Sequence, residues 1–297
     1  MQPYLLLCLS ILFASANNLL LHKFGNRGLD SPGGVLLFNA AVSGIWVILL
    51  GGTSMISGGL RSDTGSVCWG MLYGVVTAAF LFFKMQAMAT GPVSLTAFIG
   101  CASLLISTGF GVFVLGEGAS VLQTVGVAIL MIALFLVVSP KNDHAKKSWK
   151  LWCAGFFTCS AAVGIIFKLH QRSGSASKIN EMMFAAALTS ALLFTAMSFA
   201  VSEKHRPKPI PGSAVGYLVA CGIAGCVYNR LNIFLAGQLP SVVFYPTFNG
   251  SVILISTLCG LIFFKEKLKA QQAIGIAAGA AALMLASGTI DNLLKTI

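Results

Sequence analysis

The chain is 297 residues long, 57% hydrophobic and only 9% charged, with a formal net charge of +11. A soluble domain carries about 25% charged residues, so a mean hydropathy of +0.88 excludes a water-soluble globule. The bases gather in short segments between apolar runs, which is the pattern of membrane topology and not of nucleic-acid binding.

A bilayer span needs about 20 mostly apolar residues. Ten such stretches follow one another, at 4–22, 33–51, 66–89, 93–115, 120–139, 149–168, 181–201, 213–236, 240–263 and 270–287. Helix is the expected element throughout, because a helix satisfies its own backbone in hydrocarbon. The long unbroken apolar runs lack the alternation of a β-barrel. The first stretch is read as a retained span and not a signal peptide. No basic residue precedes it, and no convincing small-x-small cleavage site stands before His22 and Lys23. The joints are turn-like: Gly28-Leu29-Asp30-Ser31-Pro32, Gly91-Pro92, Pro140, the cluster Pro207, Pro209 and Pro211, and Leu239-Pro240.

The chemistry-bearing residues are sparse. The eight cysteines form no CxxC and lie in apolar runs, where they act as small hydrophobes. His22, His144, His170 and His205 are read as loop residues, without metal-ligand spacing. No GxxxxGK[ST] phosphate loop and no nucleophile–base pair occur. Neither an enzyme nor a bound cofactor nor a metal is expected.

Four charges cluster at Lys265, Glu266, Lys267 and Lys269, and VLGEGASVLQTVGV at 114–127 repeats their setting. Laying Glu117 over Glu266 brings Gln123 onto Gln272, Gly126 onto Gly275 and Ser107-Thr108 onto Ser256-Thr257. A one-residue shift brings Pro92 onto Pro240, and Lys23 falls near Lys168. The chain is thus read as two five-helix copies, 1–140 and 141–297. Five is odd, so the second copy enters the membrane from the opposite side. Such inverted repeats build many secondary transporters, with the substrate near the midplane between the halves. Glu117 and Glu266 are read as surface charges of a hinge-like loop.

Ten spans, Ser15-x-Asn17-Asn18 with Lys23 near the start, and Gly116-Glu117, Gln123 and Gly126 after the fourth span resemble the drug/metabolite transporter superfamily, and within it the EamA-type transporters. The second half has Lys265-Glu266 where the first has Gly116-Glu117. The resemblance covers the whole chain. It implies an all-α integral membrane fold with a central cavity lined by spans one, three, four, six, eight and nine. It also implies that both termini are cytoplasmic. Charge says the opposite. Lys23, Arg27, Lys141, Lys146, Lys147, Lys150, Lys204, Arg206, Lys208, Lys265, Lys267 and Lys269 are assigned to loops of one side. Only Arg61, Lys168, Arg172, Lys178 and Lys295 are assigned to the other, so the positive-inside rule puts both termini outside.

Ionisable side chains within spans mark function by default. Lys84 in span three and Arg230 in span eight are the two, and snorkelling to the interface is the alternative for both. Span eight adds Tyr228, Asn229 and Asn232, and span one adds Asn17 and Asn18, which either bind substrate or join helices. Span nine supplies Tyr245 and Asn249 around Pro246, whose missing N–H would loosen the helix. Span four supplies Ser94 and Phe98. With no acid in mid-span, a proton-coupled cation exporter lacks its carboxylate. The expected function is secondary transport of a small polar metabolite, an amino acid or organic acid, by alternating access. A multidrug exporter of the same fold is the alternative. A bilayer, a small-molecule substrate and a coupling ion or exchanged solute are the expected partners, and short loops suit a bacterial cytoplasmic membrane.

Overall fold

The computed structural model describes residues 2–25, 31–56, 63–138, 146–201, 212, 215–264 and 270–288, with the backbone alone at 22–25, 93–94, 260–261 and 263–264. The described residues are helical almost throughout. The helices are α1 (Gln2–Gly25), α2 (Pro32–Ile56), α3 (Thr64–Thr90), α4 (Val93–Ala102), α5 (Leu104–Gly109), α6 (Val121–Val138), α7 (Trp149–Arg172), α8 (Ile179–Ala200), α9 (Val215–Gln238), α10 (Ser241–Phe264) and α11 (Ala270–Ala286). Eight segments among them are long and apolar enough to cross a membrane, and α6 and α11 are shorter apolar helices. They occupy the ten positions marked by hydropathy. The knot at 265–269, Pro140 and the proline cluster at 207–211 lie outside the described residues.

Helix starts follow capping chemistry. Ser31 Oγ accepts the Gly34 N–H at 3.1 Å, with Pro32 in the first turn, where its missing N–H costs nothing. Asp63 Oδ2 accepts the Ser66 N–H at 2.8 Å and caps α3. Ser120 and Gln123 form a reciprocal capping box on α6: the Ser120 N–H donates to Gln123 Oε1 at 2.9 Å, and the Gln123 N–H to Ser120 Oγ at 3.1 Å.

Three departures from the expected helices fall in spans four, nine and six. The fourth span breaks at Ser103, between α4 and α5, and ends in a π-helical stretch, Phe110–Val114. Ser103 Oγ donates to Gly100 O at 2.7 Å and accepts from Ser160 Oγ on α7 at 2.6 Å. Its hydroxyl thus competes with the helical ladder. The loosening expected at Pro246 is not seen, since α10 runs on through it. Span six continues to Arg172, so Lys168 and His170 are helical residues and not loop residues.

The chain forms two compact units. One comprises Met1–Leu7, Phe80–Lys168 and Leu235–Ile297, and the other Cys8–Ala79 and Leu169–Phe234. Each draws helices from both sides of residue 140, so the units follow a different division from the two sequence copies. In the first unit α6 lies along α11. A Cβ on Gly126 would come within 2.6 Å of the Ala286 nitrogen, and one on Gly275 within 2.9 Å of Ala133 O. Small residues let the backbones meet this closely, as is usual between helices in lipid. Leu130, Ala133, Leu134, Ala282 and Ala286 are fully buried there. In the second unit α2 lies along α8, where Ser190 Oγ donates to Ser43 Oγ at 3.1 Å.

Candidate functional site

In the first unit the turn after the π-helical stretch carries Gly116 at φ +66°, a left-handed conformation that glycine adopts without strain. The Glu117 N–H then donates to Gly111 O at 3.0 Å. This turn aims the Glu117 carboxylate back at the helix ends. Glu117 Oε1 lies 2.8 Å from Lys168 Nζ, with the two side chains 10% and 6% exposed. Glu117 Oε2 accepts the Ser241 N–H at 2.6 Å, at the start of α10. Lys168 Nζ also donates to Leu239 O at 2.8 Å. A helix N-terminus is favourable ground for a carboxylate. Partial burial pushes the Glu117 carboxyl up, but the bonds from Lys168 and from the Ser241 N–H outweigh it and hold it below the usual range.

This corrects the expectation of surface charges for Glu117 and of a loop position for Lys168. A lone cation near the end of an apolar helix would snorkel to water. Here an acid from a neighbouring turn reaches it first. The motif residues divide into distinct tasks: Gly116 makes the turn, Glu117 pairs, Gln123 caps, and Gly126 lets α11 close in.

In the second unit a polar seam joins α1, α3 and α9. Ser10 Oγ donates to Asn232 Oδ1 at 2.7 Å and approaches Tyr228 O at 3.3 Å. Tyr73 OH donates to Asn229 Oδ1 at 2.9 Å, and Asn229 Nδ2 donates to Gly225 O at 2.9 Å. Ser10, Tyr73, Asn229 and Asn232 are buried. Ser15 Oγ on α1 is buried too and has no hydrogen-bond partner among the described residues. The seam brings Asn229, Asn232 and Tyr228 together. Ser10 and Tyr73 were missed, because a single hydroxyl in an apolar run carries no sequence signal of its own.

The other expected residues are placed as follows. Lys84 is half-buried on α3, with Nζ 5.9 Å from the Phe80 ring centroid, and makes no ion pair among the described residues. Arg230 is exposed, on the α9 stripe that also exposes Val219, Ile223 and Phe234. Asn17 is half-buried and Asn18 exposed. Phe98 packs edge-on against Phe135 at 5.1 Å. Tyr245 OH donates to Gly164 O at 2.6 Å, and Asn249 Nδ2 to Tyr245 O at 2.9 Å, so both serve helix contacts. The Ser94 side chain lies outside the described residues.

His170 is fully buried in the last turn of α7. Its Nε2 stands 3.2 Å from Ser66 Oγ, its Nδ1 3.2 Å from Gln171 Nε2, and Ser66 Oγ reaches Ser175 O at 3.3 Å. Gln171 donates at Nδ1, so Nε2 carries the proton. The Ser175 side chain and the Ser66 N–H hold Asp63 nearby below the usual carboxylate range.

No protein-family model matches the chain. It is 25% identical over 283 residues to the "Probable glucose uptake protein GlcU" of Staphylococcus epidermidis, covering 88% of this chain and 94% of that protein. A solved structure described only as "Crystal structure of protein" matches with a TM-score of 0.76 at 16% identity, over 97% of this chain and 98% of that one. At that identity the likeness is one of fold. With its eight apolar segments of spanning length, the chain is a multi-pass protein of the cell membrane.

Proposed function

We propose that the chain is a membrane transporter of a small polar metabolite, a secondary carrier of the drug/metabolite transporter superfamily in a bacterial cytoplasmic membrane. Its relative over most of its length bears a glucose-uptake name. The two-copy reading gains support from the α6–α11 seam. Gly126 meets the Ala282–Ala286 turn of α11, and its sequence counterpart Gly275 meets Ala133, Leu136 and Val137 of α6. Contacts exchanged between equivalent residues are what a twofold relation between copies produces. An inverted repeat of this kind suits alternating access.

The substrate class is a neutral polyol such as a sugar, and one observation carries it. The buried polar groups joining α1, α3 and α9 are hydroxyls, a phenol and amides without charge, and Ser15 Oγ, buried further along α1, has no partner among the described residues. Such groups match a substrate that offers many hydroxyls. The acid–base pair Glu117–Lys168 is already self-neutralised. A second reading, an amino acid or organic acid, rests on Lys84, a cation late in the third span that makes no ion pair among the described residues. The multidrug reading has no such observation behind it.

A thermal-shift panel on purified protein separates these readings. Hexoses, amino acids, organic acids and quaternary amines are each tested against the parent chain, Ser15→Ala and Lys84→Met. A ligand at about 100 times its dissociation constant stabilises the fold by about 2.7 kcal/mol. The sugar reading expects a hexose shift that Ser15→Ala weakens and Lys84→Met spares. A carboxylate shift lost in Lys84→Met moves the assignment to the second reading. Shifts from quaternary amines alone overturn both.

A further inference from the structure

We infer that Glu117 and Lys168 form a gate that closes one end of the carrier. The inference rests on the alternating-access reading above. Glu117 belongs to the first sequence copy, while Lys168, Leu239 and Ser241 belong to the second. The carboxylate therefore crosses the junction between the copies twice, to Lys168 Nζ at 2.8 Å and to the Ser241 N–H at 2.6 Å. Gly111 strengthens the closure, because a Cβ there would collide with Ser241 Oγ and come within 2.8 Å of the Glu117 carboxylate. Copies that rock against each other must part at one face while meeting at the other.

The chemistry of the junction decides which contact can part. The α6–α11 seam also joins the copies, but its apolar surfaces are interlocked backbone to backbone along both helices. Separating it forfeits that close packing, which flexible lipid tails do not reproduce. An ion pair differs. Its attraction is nearly offset by the hydration each partner recovers when water enters, so closed and open arrangements lie close in free energy. Glu117 follows the π-helical end of its span and Lys168 lies about one turn before the end of α7, and Lys168 also donates to Leu239 O at 2.8 Å, an acceptor that does not depend on the carboxylate.

Ser107 is the reporter position. It lies one turn before Gly111 on α5, is buried, and donates to Ala161 O at 3.1 Å. The full chain carrying Ser107→Cys, reconstituted in lipid without substrate, is exposed to a membrane-impermeant maleimide. Labelling at residue 107 is read by mass spectrometry, alongside native Cys153, which is buried on α7. Glu117→Gln and Lys168→Met are each expected to speed labelling at 107 by about tenfold, the shift that losing one buried charge-assisted bond gives a two-state population. Cys153 keeps the parent rate. An unchanged rate at 107 overturns the gate. Equal acceleration at Cys153 overturns it too, since the whole unit has then loosened. If either variant fails to fold, Glu117→Asp keeps the charge but shortens its reach. An intermediate rate supports the gate, and the parent rate overturns it. No substrate enters the assay, so its outcome is independent of the thermal-shift panel.

Discussion

Glu117 is held below the ordinary glutamate range by Lys168 and Ser241, against the upward push of burial. A depressed folded pKa means the stabilisation is complete above the unfolded value of about 4.3 and is lost as pH falls through the folded one. The melting temperature of the parent chain is therefore expected to fall more steeply below about pH 4 than that of Glu117→Gln. Equal slopes in the two chains would remove the pair from the acid response. At neutral pH, Glu117→Gln leaves the buried Lys168 cation without its counter-charge, which costs about 3 kcal/mol. Tyr73→Phe acts by a different route. It strips the donor from Asn229 Oδ1 inside the α1–α3–α9 seam, a loss of about 1–2 kcal/mol for a buried acceptor left unmade. A thermal melt showing no change would mean that water replaces the phenol.

Among the elements, α6 and α11 carry the sharpest constraint. Gly126→Leu forces a branched side chain onto the Ala282–Ala286 backbone. It is expected to destabilise by about 2 kcal/mol or more, while a leucine at exposed Val125 on the same helix is neutral. A folded Gly126→Leu with the parent melting temperature would show that the two helices part easily. At this scale much of the architecture was legible in sequence. Unbroken apolar runs and proline-marked joints gave ten segments, and the Gly116-Glu117, Gln123 and Gly126 pattern marked a real constellation. Its meaning was not legible. Nothing local distinguishes a surface glutamate from one turned inward by a glycine in the left-handed region. Nor does a serine at 103 announce that it breaks a helix which a proline at 246 leaves whole. Both outcomes depend on partners distant in sequence, Lys168 and Ser241 for the glutamate and Ser160 for the serine.

For the whole molecule, orientation remains the decisive measurement. Lys168 moves from a loop into a buried pair, which removes one base from the side already poor in them. The charge asymmetry thereby sharpens, and both termini are expected on the outer face. Reporters fused to the C-terminus, one active only outside and one only in the cytoplasm, check this directly. Cytoplasmic activity would favour the orientation implied by the family resemblance and reverse the face on which the Glu117–Lys168 gate opens.

The sequence by itself determined the solvent and the element type. With so few charges and such long apolar runs, only helices in a bilayer satisfy both the side chains and the backbone. It also carries the alignment of Glu117 with Glu266 and of Gly126 with Gly275 on which the proposed two-copy reading rests. Tertiary structure alone decided which polar groups meet. Asn229 with Tyr73, Asn232 with Ser10, and Glu117 with Lys168 are pairs brought together by helix packing. In hydrocarbon a polar side chain takes whichever partner the packing brings within about 3 Å, and periodicity along one helix does not say which neighbour that is.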